Sequence, residues 1–322
     1  MPTPDAAPAV TPHDIENAAA RLTGHIRVTP LLDIGAGELD LPVDVVLKLE
    51  LLQHVGSFKP RGAFNRVLAA GSIPTAGLVA ASGGNHGAAV AFVGRSLGHR
   101  AEVFVPSTSP VMKRERIAAL GATVHVVDGL YDDAQAAATA HQLNTGALAV
   151  HPYDHPDVVA GQGTMARELE LQMAARGSKF DTVLVASGGG GFTAGQAAWF
   201  AGRKRIVAVE PETSQCLRAA RLAGEPVEVS VSGVAADSLG AKKLGAVAWT
   251  IVEHFVAAAI TVSDDDIRVA QRLLWDRLRL VAEPGGATAL AAIRSGAYTP
   301  SPGERIVVVV CGSNCDPATV AG

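Results

Sequence analysis

The sequence predicts an α/β fold in which two open parallel sheets, each covered by helices, form two lobes. From Leu78 onward, short β-branched runs alternate with Ala-rich helical stretches, which is the pattern of parallel sheets. Runs such as VLVA and IVVVVC are apolar at every position, as strands buried on both faces require. At 322 residues and 48% hydrophobic, the chain is able to bury the cores that two lobes need.

Regular structure is predicted to begin with a helix through Leu22, because Thr11-Pro12-His13-Asp14 fits a capping box with proline at the first helical position. A first series follows with the strands LVAAS, AEVFVP, ATVHVV and ALAVHP and with helices near 87–97, 110–120 and 131–143. A second series has the strands DTVLVAS, RIVAVE, AAITV and RIVVVVC and helices near 157–176, 192–202, 264–279 and 285–295. We expect residues 61–150 to form the smaller domain, and residues 1–60 with 151–322 to form the larger one.

The composition excludes several classes of partner. A formal charge of -4 leaves no basic surplus for binding nucleic acid. No apolar run reaches the roughly 20 residues that span a bilayer, and the Pro/Ala-rich start lacks the pattern of a signal peptide. We therefore expect a cytoplasmic protein. Three cysteines without CxxC spacing predict reduced thiols rather than disulfides or a structural zinc site.

Three glycine-rich loops follow predicted strands, where ligands of open parallel sheets bind. They are SGGNHG at 82–87, SGGGGF at 187–192 and CGSN at 311–314. The first two precede helices, whose N-terminal amides favour anions, and consecutive glycines let a phosphate approach the backbone. Ordinary tight turns explain a single loop equally well. Gly189, Gly191 and Ala194, with Glu210 ending the next strand, also fit a dinucleotide fingerprint.

Lys59 is the candidate nucleophile. It lies in GSFKPRGAFN, residues 56–65, between Phe58 and Pro60 at the start of a predicted helix. A lysine that forms a Schiff base must lose its proton, and partial burial favours that loss. A solvated lysine at a helix start fits the same pattern, so the spacing alone leaves both interpretations open.

Taken together, these motifs resemble the fold-type II family of pyridoxal-phosphate enzymes, and within it the serine/threonine dehydratases and serine racemases. The resemblance runs from about residue 13 to 317 and implies a fold like that of the tryptophan synthase β chain, with the larger domain binding the cofactor. It also includes the stretches HPYDHPDVVAGQGT at 151–164, ADSLGAKKLG at 236–245 and EPGGA at 283–287.

The resemblance assigns roles to particular residues. Lys59 would carry pyridoxal 5'-phosphate as a Schiff base and act as the base that takes the α-proton. The other cofactor-binding residues would be Phe58, Asn85 at the 3'-oxygen, Gly188, Gly189, Gly190 and Gly191 at the phosphate, and Glu283. Cys311 would contact the pyridine nitrogen, with Ser313 as the fallback. The substrate carboxylate would be held by Ser82, Gly83, Gly84, Asn85 and His86.

This sequence departs from its relatives at two positions. Racemases of the family carry a serine at the position of Gly83, and that serine serves as the acid-base group on the face opposite the lysine. A divalent-cation site of some relatives matches Glu210 and Cys216, but one carboxylate with a thiol is a poor magnesium site, so no metal is assigned and Glu210 is a weak candidate. The chain ends soon after CGSNCDP, which predicts that it lacks a C-terminal regulatory domain.

The resemblance implies β-elimination and deamination of a small hydroxy-amino acid, L-threonine or L-serine, to a 2-oxo acid and ammonia in amino-acid catabolism. A neutral Cys311 would favour elimination over transamination. A homodimer is expected, and serine, threonine and 3-hydroxyaspartate stay open as substrates. The alternatives are a serine racemase or β-replacement enzyme of the same family, an NAD-binding oxidoreductase, and a catalytically silent cofactor-binding protein.

Overall fold

Helices and strands alternate along most of the chain in the computed structural model, which describes residues 7–321. The strands are β1 Leu31–Ile34, β2 Val45–Lys48, β3 Leu78–Ala81, β4 Ala101–Pro106, β5 Thr123–Val127, β6 Leu148–Ala149, β7 Thr182–Ala186, β8 Arg205–Pro211, β9 Val256–Val262 and β10 Ile306–Val309. The α-helices are α1 Pro12–Leu22, α2 Lys59–Ala69, α3 Asn85–Leu97, α4 Val111–Ala119, α5 Tyr131–Thr145, α6 Pro156–Ala175, α7 Gly191–Phe200, α8 Cys216–Ala223, α9 Ala236–Leu239, α10 Ala246–Phe255, α11 Asp264–Leu278, α12 Pro284–Arg294 and α13 Ala318–Ala321.

The first helix begins at the capping box that the sequence predicts. The Thr11 hydroxyl accepts a hydrogen bond from the Asp14 amide, and the Asp14 carboxylate accepts one from the Thr11 amide at 2.9 Å. Two of the first free amides of α1 are thereby satisfied. The predicted start at Pro12 and end at Leu22 are both confirmed.

The larger sheet has six strands in the order β1-β2-β10-β7-β8-β9. β10, β7, β8 and β9 run parallel, as predicted, and β2, which the sequence did not predict, joins them in parallel beside β10. β1 adds an antiparallel edge strand, with Leu31 opposite Lys48. The connection between β1 and β2, residues 35–44, has no crossover helix, which a parallel pair would need.

The smaller sheet has the order β5-β4-β3-β6, and its neighbours are all parallel. Alternate residues of β3 bury on opposite faces: Leu78 and Ala80 join one apolar cluster with α3, while Val79 and Ala81 join another with α5. Since both faces are covered, each position of the strand must be apolar. The continuous hydrophobicity in the sequence is explained by this arrangement.

The two sheets draw on different parts of the chain. Strands of the larger sheet come from residues 31–48 and 182–309, and those of the smaller sheet from residues 78–149. The domain bounds near residues 60 and 150 stay a prediction. Among the helices of residues 7–321, none combines the length and the apolar character needed to cross a membrane.

Six elements escaped the sequence prediction: β1, β2, α8, α9, α10 and α13. β2 ends in Lys48, and Glu50 follows two residues later, so the segment does not resemble a buried strand. Both side chains are nevertheless fully buried. Their charged partners, Glu168 for Lys48 and Arg61 for Glu50, lie 120 and 11 residues away and on other elements, so the local pattern of the strand does not reveal them.

Candidate active site

The three glycine-rich loops and Lys59 meet at the carboxyl ends of the parallel strands. The Phe58 amide donates to the Cys311 carbonyl at 3.2 Å, and Ser57 forms an isolated antiparallel bridge with Gly312. The Phe58 ring stacks on Phe192, at the end of the second loop, with 4.0 Å between the ring centroids. The fold therefore brings together motifs that are separated by more than a hundred residues of sequence.

Lys59 is the first residue of α2 and is partly buried. Its Nζ donates to the carbonyl of Pro152 at 2.8 Å. Burial lowers the pKa of Lys59 to about 8, although the nearby Cys311 and Glu283 oppose that shift. About a tenth of the amine is consequently unprotonated at pH 7 and about half at pH 8, and the unprotonated form is the one that a nucleophile or base at this position requires.

A buried ion network fixes the helix that carries Lys59. The Arg61 side chain is fully buried and donates to both oxygens of Glu50, at 2.8 and 2.7 Å, and to Glu168 of α6 at 2.9 Å. Lys48 donates to the same Glu168 at 2.5 Å. Since Arg61 follows Lys59 by two residues, the network holds the start of α2 against β2 and α6.

Asn85 lies at the centre of a chain of side-chain hydrogen bonds. Its Nδ2 donates to Glu283 Oε1 at 2.6 Å, and its Oδ1 accepts from Asn314 Nδ2 at 2.6 Å. Burial raises the pKa of Glu283, while the bond from Asn85 opposes that rise. The amide of Asn85 is thereby oriented, with one Nδ2 hydrogen left for a ligand.

The rest of the first loop offers backbone rather than side-chain groups. α3 begins at Asn85, so the amides of its first turn have no helical acceptor and point toward any anion at the loop. The imidazole of His86 is turned away: its Nε2 donates to the Val150 carbonyl at 2.7 Å. Burial lowers the pKa of His86 to about 3, and Lys59 adds to the effect, so His86 is neutral. Of the predicted substrate-binding groups, His86 therefore offers its amide and not its ring.

Ser82 and Gly83 are more constrained than the sequence suggests. The Ser82 hydroxyl accepts from the Gly84 amide at 3.2 Å, which tightens the turn. A Cβ atom at Gly83 would overlap the hydroxyl of Ser109, and Val105 lies 3.9 Å away in the same direction. A serine at position 83 would therefore require Ser109 to move.

The second loop presents backbone groups without side chains at Gly188–Gly191. Gly190 has φ of +85°, a conformation that favours glycine. A Cβ at Gly189 would meet the Tyr153 ring at 2.5 Å, and one at Gly191 would meet the Tyr153 carbonyl at 2.5 Å. The hydroxyls of Ser187 and Thr193, on either side of the loop, are buried without a partner in residues 7–321. The two spare hydroxyls are donors that a phosphate group at this loop would need, and the close approach of Tyr153 explains why Gly189 and Gly191 carry no side chain.

Cys311 and Ser313 follow β10, and their side chains point in different directions. The Ser313 hydroxyl lies 3.2 Å from the Gly56 carbonyl, whereas the Cys311 thiol lies 3.4 Å from the Gly285 carbonyl. Burial raises the pKa of the Cys311 thiol well above its ordinary value, with Glu283 adding to the rise. Cys311 is thus a neutral thiol, and the hydroxyl of Ser313 is hydrogen-bonded to the carbonyl of Gly56, three residues before Lys59.

Glu210 serves the fold rather than a ligand. Its two oxygens accept from the amides of Leu217 and Arg218, both at 2.8 Å, at the start of α8. Burial raises the pKa of Glu210 to about 7. The Cys216 thiol points to the Gly188 carbonyl at 3.2 Å. This donor set does not fit a hard cation, and the carboxylate is not free to bind a ribose as the dinucleotide interpretation requires.

Several residues at the site were not assigned a role from the sequence. Pro152 supplies the carbonyl that holds Lys59, and the ring of Tyr153 packs on Gly189. Both lie in the stretch HPYDHP, and the place of this stretch among the family motifs was the one sequence feature that could have assigned them to the site. Lys113 and Arg116 of α4 reach a cavity beside the first loop, but their helix has an ordinary amphipathic pattern that carries no such signal.

Comparison with known proteins identifies relatives that cover nearly the whole chain. The family described as "Pyridoxal-phosphate dependent enzyme" matches residues 22–312. A biosynthetic L-threonine dehydratase of Corynebacterium glutamicum is 34% identical over 316 residues, which are 94% of this chain and 71% of that protein. A phenylserine dehydratase of Ralstonia pickettii is 34% identical over 313 residues, which are 95% of this chain and 94% of that protein.

The similarity holds for the fold as well as for the sequence. The chain spans 56% to 71% of the length of the bacterial biosynthetic threonine dehydratases that it matches. The crystal structure of a threonine deaminase from T.th. superposes with a TM-score of 0.88 at 34% identity, over 95% of this chain and 99% of that one. The similarity therefore extends through both sheets and the loops between them.

Proposed function

Since the chain belongs to the family of pyridoxal-phosphate dependent enzymes, we propose that it removes the β-hydroxyl and the amino group of a small hydroxy-amino acid. The products are a 2-oxo acid and ammonia: pyruvate from L-serine, or 2-oxobutyrate from L-threonine. One observation carries the proposal, namely that Lys59, with its pKa lowered to about 8, lies where the three glycine-rich loops converge. Similarity to threonine and phenylserine dehydratases supports the reaction type.

The residues at the loops fit the cofactor. Pyridoxal phosphate supplies an electron sink for the negative charge that develops when the α-proton leaves. In the proposal Lys59 binds it covalently, Gly188–Gly191 receive its phosphate, and Phe58 and Asn85 contact its ring. The unpartnered hydroxyls of Ser187 and Thr193 favour an anion at this loop.

Lys59 has two tasks in this proposal. Its amine would hold the cofactor covalently, and the same amine would take the α-proton of the substrate. The Pro152 carbonyl, 2.8 Å from Nζ, gives the free amine a defined resting position. The amides at the start of α3, with Ser82, Gly83, Gly84, Asn85 and His86, hold the substrate carboxylate, and for His86 the contact comes from the backbone.

Cys311 is proposed to face the pyridine nitrogen of the cofactor, as the resemblance implies, because its thiol is near enough to Lys59 to affect the pKa of that amine, whereas the Ser313 hydroxyl lies 3.2 Å from the Gly56 carbonyl. A neutral thiol does not hold a proton on that nitrogen as a carboxylate does. Glu283 acts through Asn85, whose amide it orients at 2.6 Å. Together these neutral contacts favour rapid loss of the β-hydroxyl over transamination.

Elimination is proposed to exceed racemisation. Racemisation needs a second acid-base group on the face opposite Lys59, and Gly83 has no such group. Water without positioning lacks the factor of about 10² to 10⁴ that general acid catalysis provides. The overall balance is simple: water leaves with the β-hydroxyl and the α-proton, and water returns when the amino group is released as ammonia.

The assembly and compartment also belong to the proposal. We expect a homodimer, and exposed apolar side chains such as Val28 (74% exposed) provide the kind of surface that interfaces cover. Cytoplasmic residence is supported by the three free cysteines, Cys216, Cys311 and Cys315. Light scattering and cell fractionation test the two points separately.

The decisive assay is release of 2-oxo acid from purified holoenzyme with a panel of L-hydroxy-amino acids. Sustained release that stops on removal of pyridoxal phosphate supports the proposal. A yellow protein that releases no 2-oxo acid from any member of the panel would instead be a silent cofactor-binding protein. NAD binding without a yellow colour would point to an oxidoreductase.

A further inference from the structure

The imidazole of His151 borders the candidate active site, and the proposed reaction does not use it. β3 and β6 are neighbouring parallel strands, so the loop that begins at Ser82 and the residues that follow Ala149 emerge at the same edge of the sheet. The His86 ring marks this contact, because its Nε2 donates to the carbonyl of Val150 at 2.7 Å. His151, the next residue, therefore lies beside the loop that is expected to hold the substrate carboxylate.

The same imidazole is close to Lys59. Pro152, which follows His151 directly, supplies the carbonyl that accepts from Lys59 Nζ at 2.8 Å. Burial lowers the pKa of His151 to about 4, Asp154 opposes that shift, and the nearby charge of Lys59 adds to it. A substrate whose amine approaches Lys59 and whose carboxylate lies on the first loop is therefore next to the His151 ring.

Two backbone amides fix the tautomer of His151. Its Nδ1 accepts from the amide of Asp154 at 2.7 Å and from that of Tyr153 at 3.3 Å, so Nδ1 carries no proton. Since the ring is neutral at pH 7, its one proton lies on Nε2. Among residues 7–321, no acceptor lies at hydrogen-bond distance from that nitrogen, and it is not sealed from solvent. The site thus holds an oriented, neutral N–H donor that the described part of the chain leaves without an acceptor.

We propose that the Nε2–H of His151 donates to the α-carboxylate of the amino-acid substrate and adds a side-chain donor to the backbone amides of the first loop. A carboxylate has about four lone-pair sites, so it accepts from a side chain and from the amides at the start of α3 together. The contact transfers no proton and leaves the balance of the reaction unchanged. The inference rests on the proposed function, because it assigns a further residue to the same substrate site.

Two substitutions separate this donor from the turn that orients it. In His151→Asn the side-chain oxygen still accepts from the amides of residues 153 and 154, but no group reaches the position of Nε2. In His151→Gln the side-chain nitrogen extends to that position and restores a donor. His155→Asn is the control, because Nδ1 of His155 accepts from the Asp157 amide at 3.1 Å in a similar turn at the start of α6.

The measurement is calorimetric binding of L-alanine and of ethylamine to the holoenzyme. Neither ligand has a β-hydroxyl, so binding does not depend on elimination, and ethylamine is L-alanine without its carboxylate. His151→Asn should weaken L-alanine binding by about 10- to 100-fold, as expected for the loss of a hydrogen bond to a charged group. Ethylamine binding should stay within about threefold of the parent. His151→Gln should recover most of the loss, and His155→Asn should bind both ligands as the parent does.

Three results would overturn the inference. They are unchanged L-alanine binding in His151→Asn, equal losses for L-alanine and ethylamine, and a loss in His151→Gln as large as that in His151→Asn. Retention of pyridoxal phosphate in equilibrium dialysis should be the same in all four proteins, and a loss confined to the cofactor would assign the N–H to its phosphate instead. If the predicted binding pattern holds but no hydroxy-amino acid releases 2-oxo acid, the proposed function fails while the role of His151 stands.

Discussion

Replacing Arg61 with methionine tests whether the buried ion network holds the helix that begins with Lys59. The side chain of Arg61 is fully buried and donates two hydrogen bonds to Glu50 and one to Glu168. Without it, the Thr29 hydroxyl, at 2.6 Å, is the one side-chain donor that Glu50 keeps among residues 7–321. A buried carboxylate left without its cation costs about 3–5 kcal/mol of the free energy of unfolding.

The matched control is Arg66→Met, on the same helix. Arg66 makes one contact with Asp157, at 3.3 Å, and both side chains are partly exposed, at 19% and 32%. Such pairs contribute at most about 1 kcal/mol. Urea unfolding at pH 7.5 should therefore separate the two variants by at least about 2 kcal/mol.

The pH dependence of the loss gives a second check. Burial opposes ionisation of Glu168, but Arg61 and Lys48 outweigh it and hold its pKa below the ordinary 4.5. The stabilisation from Glu168 is therefore complete above that value and is lost as the pH falls through the lower pKa of the folded state. In Arg61→Met the deficit should be largest near neutral pH and should shrink in acid. Equal, small losses in both variants at pH 7.5 would refute the reasoning.

Three further outcomes follow from the site. In Gly189→Leu the new side chain meets the Tyr153 ring, because even a Cβ atom comes within 2.5 Å of it. Equilibrium dialysis should therefore find pyridoxal phosphate bound at least about tenfold more weakly. Unchanged retention of the cofactor would show that its phosphate binds elsewhere. Chiral chromatography of the L-serine reaction should find pyruvate with little D-serine. Gly83→Ser should raise the D-serine fraction only in combination with Ser109→Gly, because the side chains at positions 83 and 109 overlap. D-serine forming as fast as pyruvate in the parent would show that position 83 does not decide between elimination and racemisation. The rate at which the apoprotein takes up pyridoxal phosphate, measured by stopped flow, should increase as the pH rises through about 8, where Lys59 loses its proton. A rate that does not change between pH 6 and pH 9 would contradict the lowered pKa of Lys59.

The sequence was sufficient to predict the parallel sheets, because their strands leave a local signal. Val79 and Ala81 bury on one face and Leu78 and Ala80 on the other, so the run is apolar throughout. β2 gave no such signal. Its Lys48 is stabilised by Glu168, 120 residues away, and a pairing at that separation is invisible to any local pattern.

The candidate site also has one part that the sequence could predict and one part that it could not. Lys59 and the glycine loops lie in motifs with a fixed spacing, so their convergence could be predicted from the resemblance. The position of the His86 ring depends on Val150, 64 residues away, and the environment of Arg116 depends on Asn314, 198 residues away. Such contacts follow from the folded arrangement of both lobes, which is why the motif alone named His86 without showing which of its groups faces the substrate and did not include Arg116.

The central claim is that Lys59 anchors the cofactor and acts as the base, and Lys59→Ala tests it most directly. The measurement is the rate of 2-oxo acid release from a hydroxy-amino acid that the parent accepts. Lys179→Ala, which removes an exposed lysine, serves as the control, and matching thermal unfolding of all three proteins verifies that they are folded. The account predicts parental activity in Lys179→Ala and no detectable release in Lys59→Ala, whereas a folded Lys59→Ala enzyme that retains activity would contradict it.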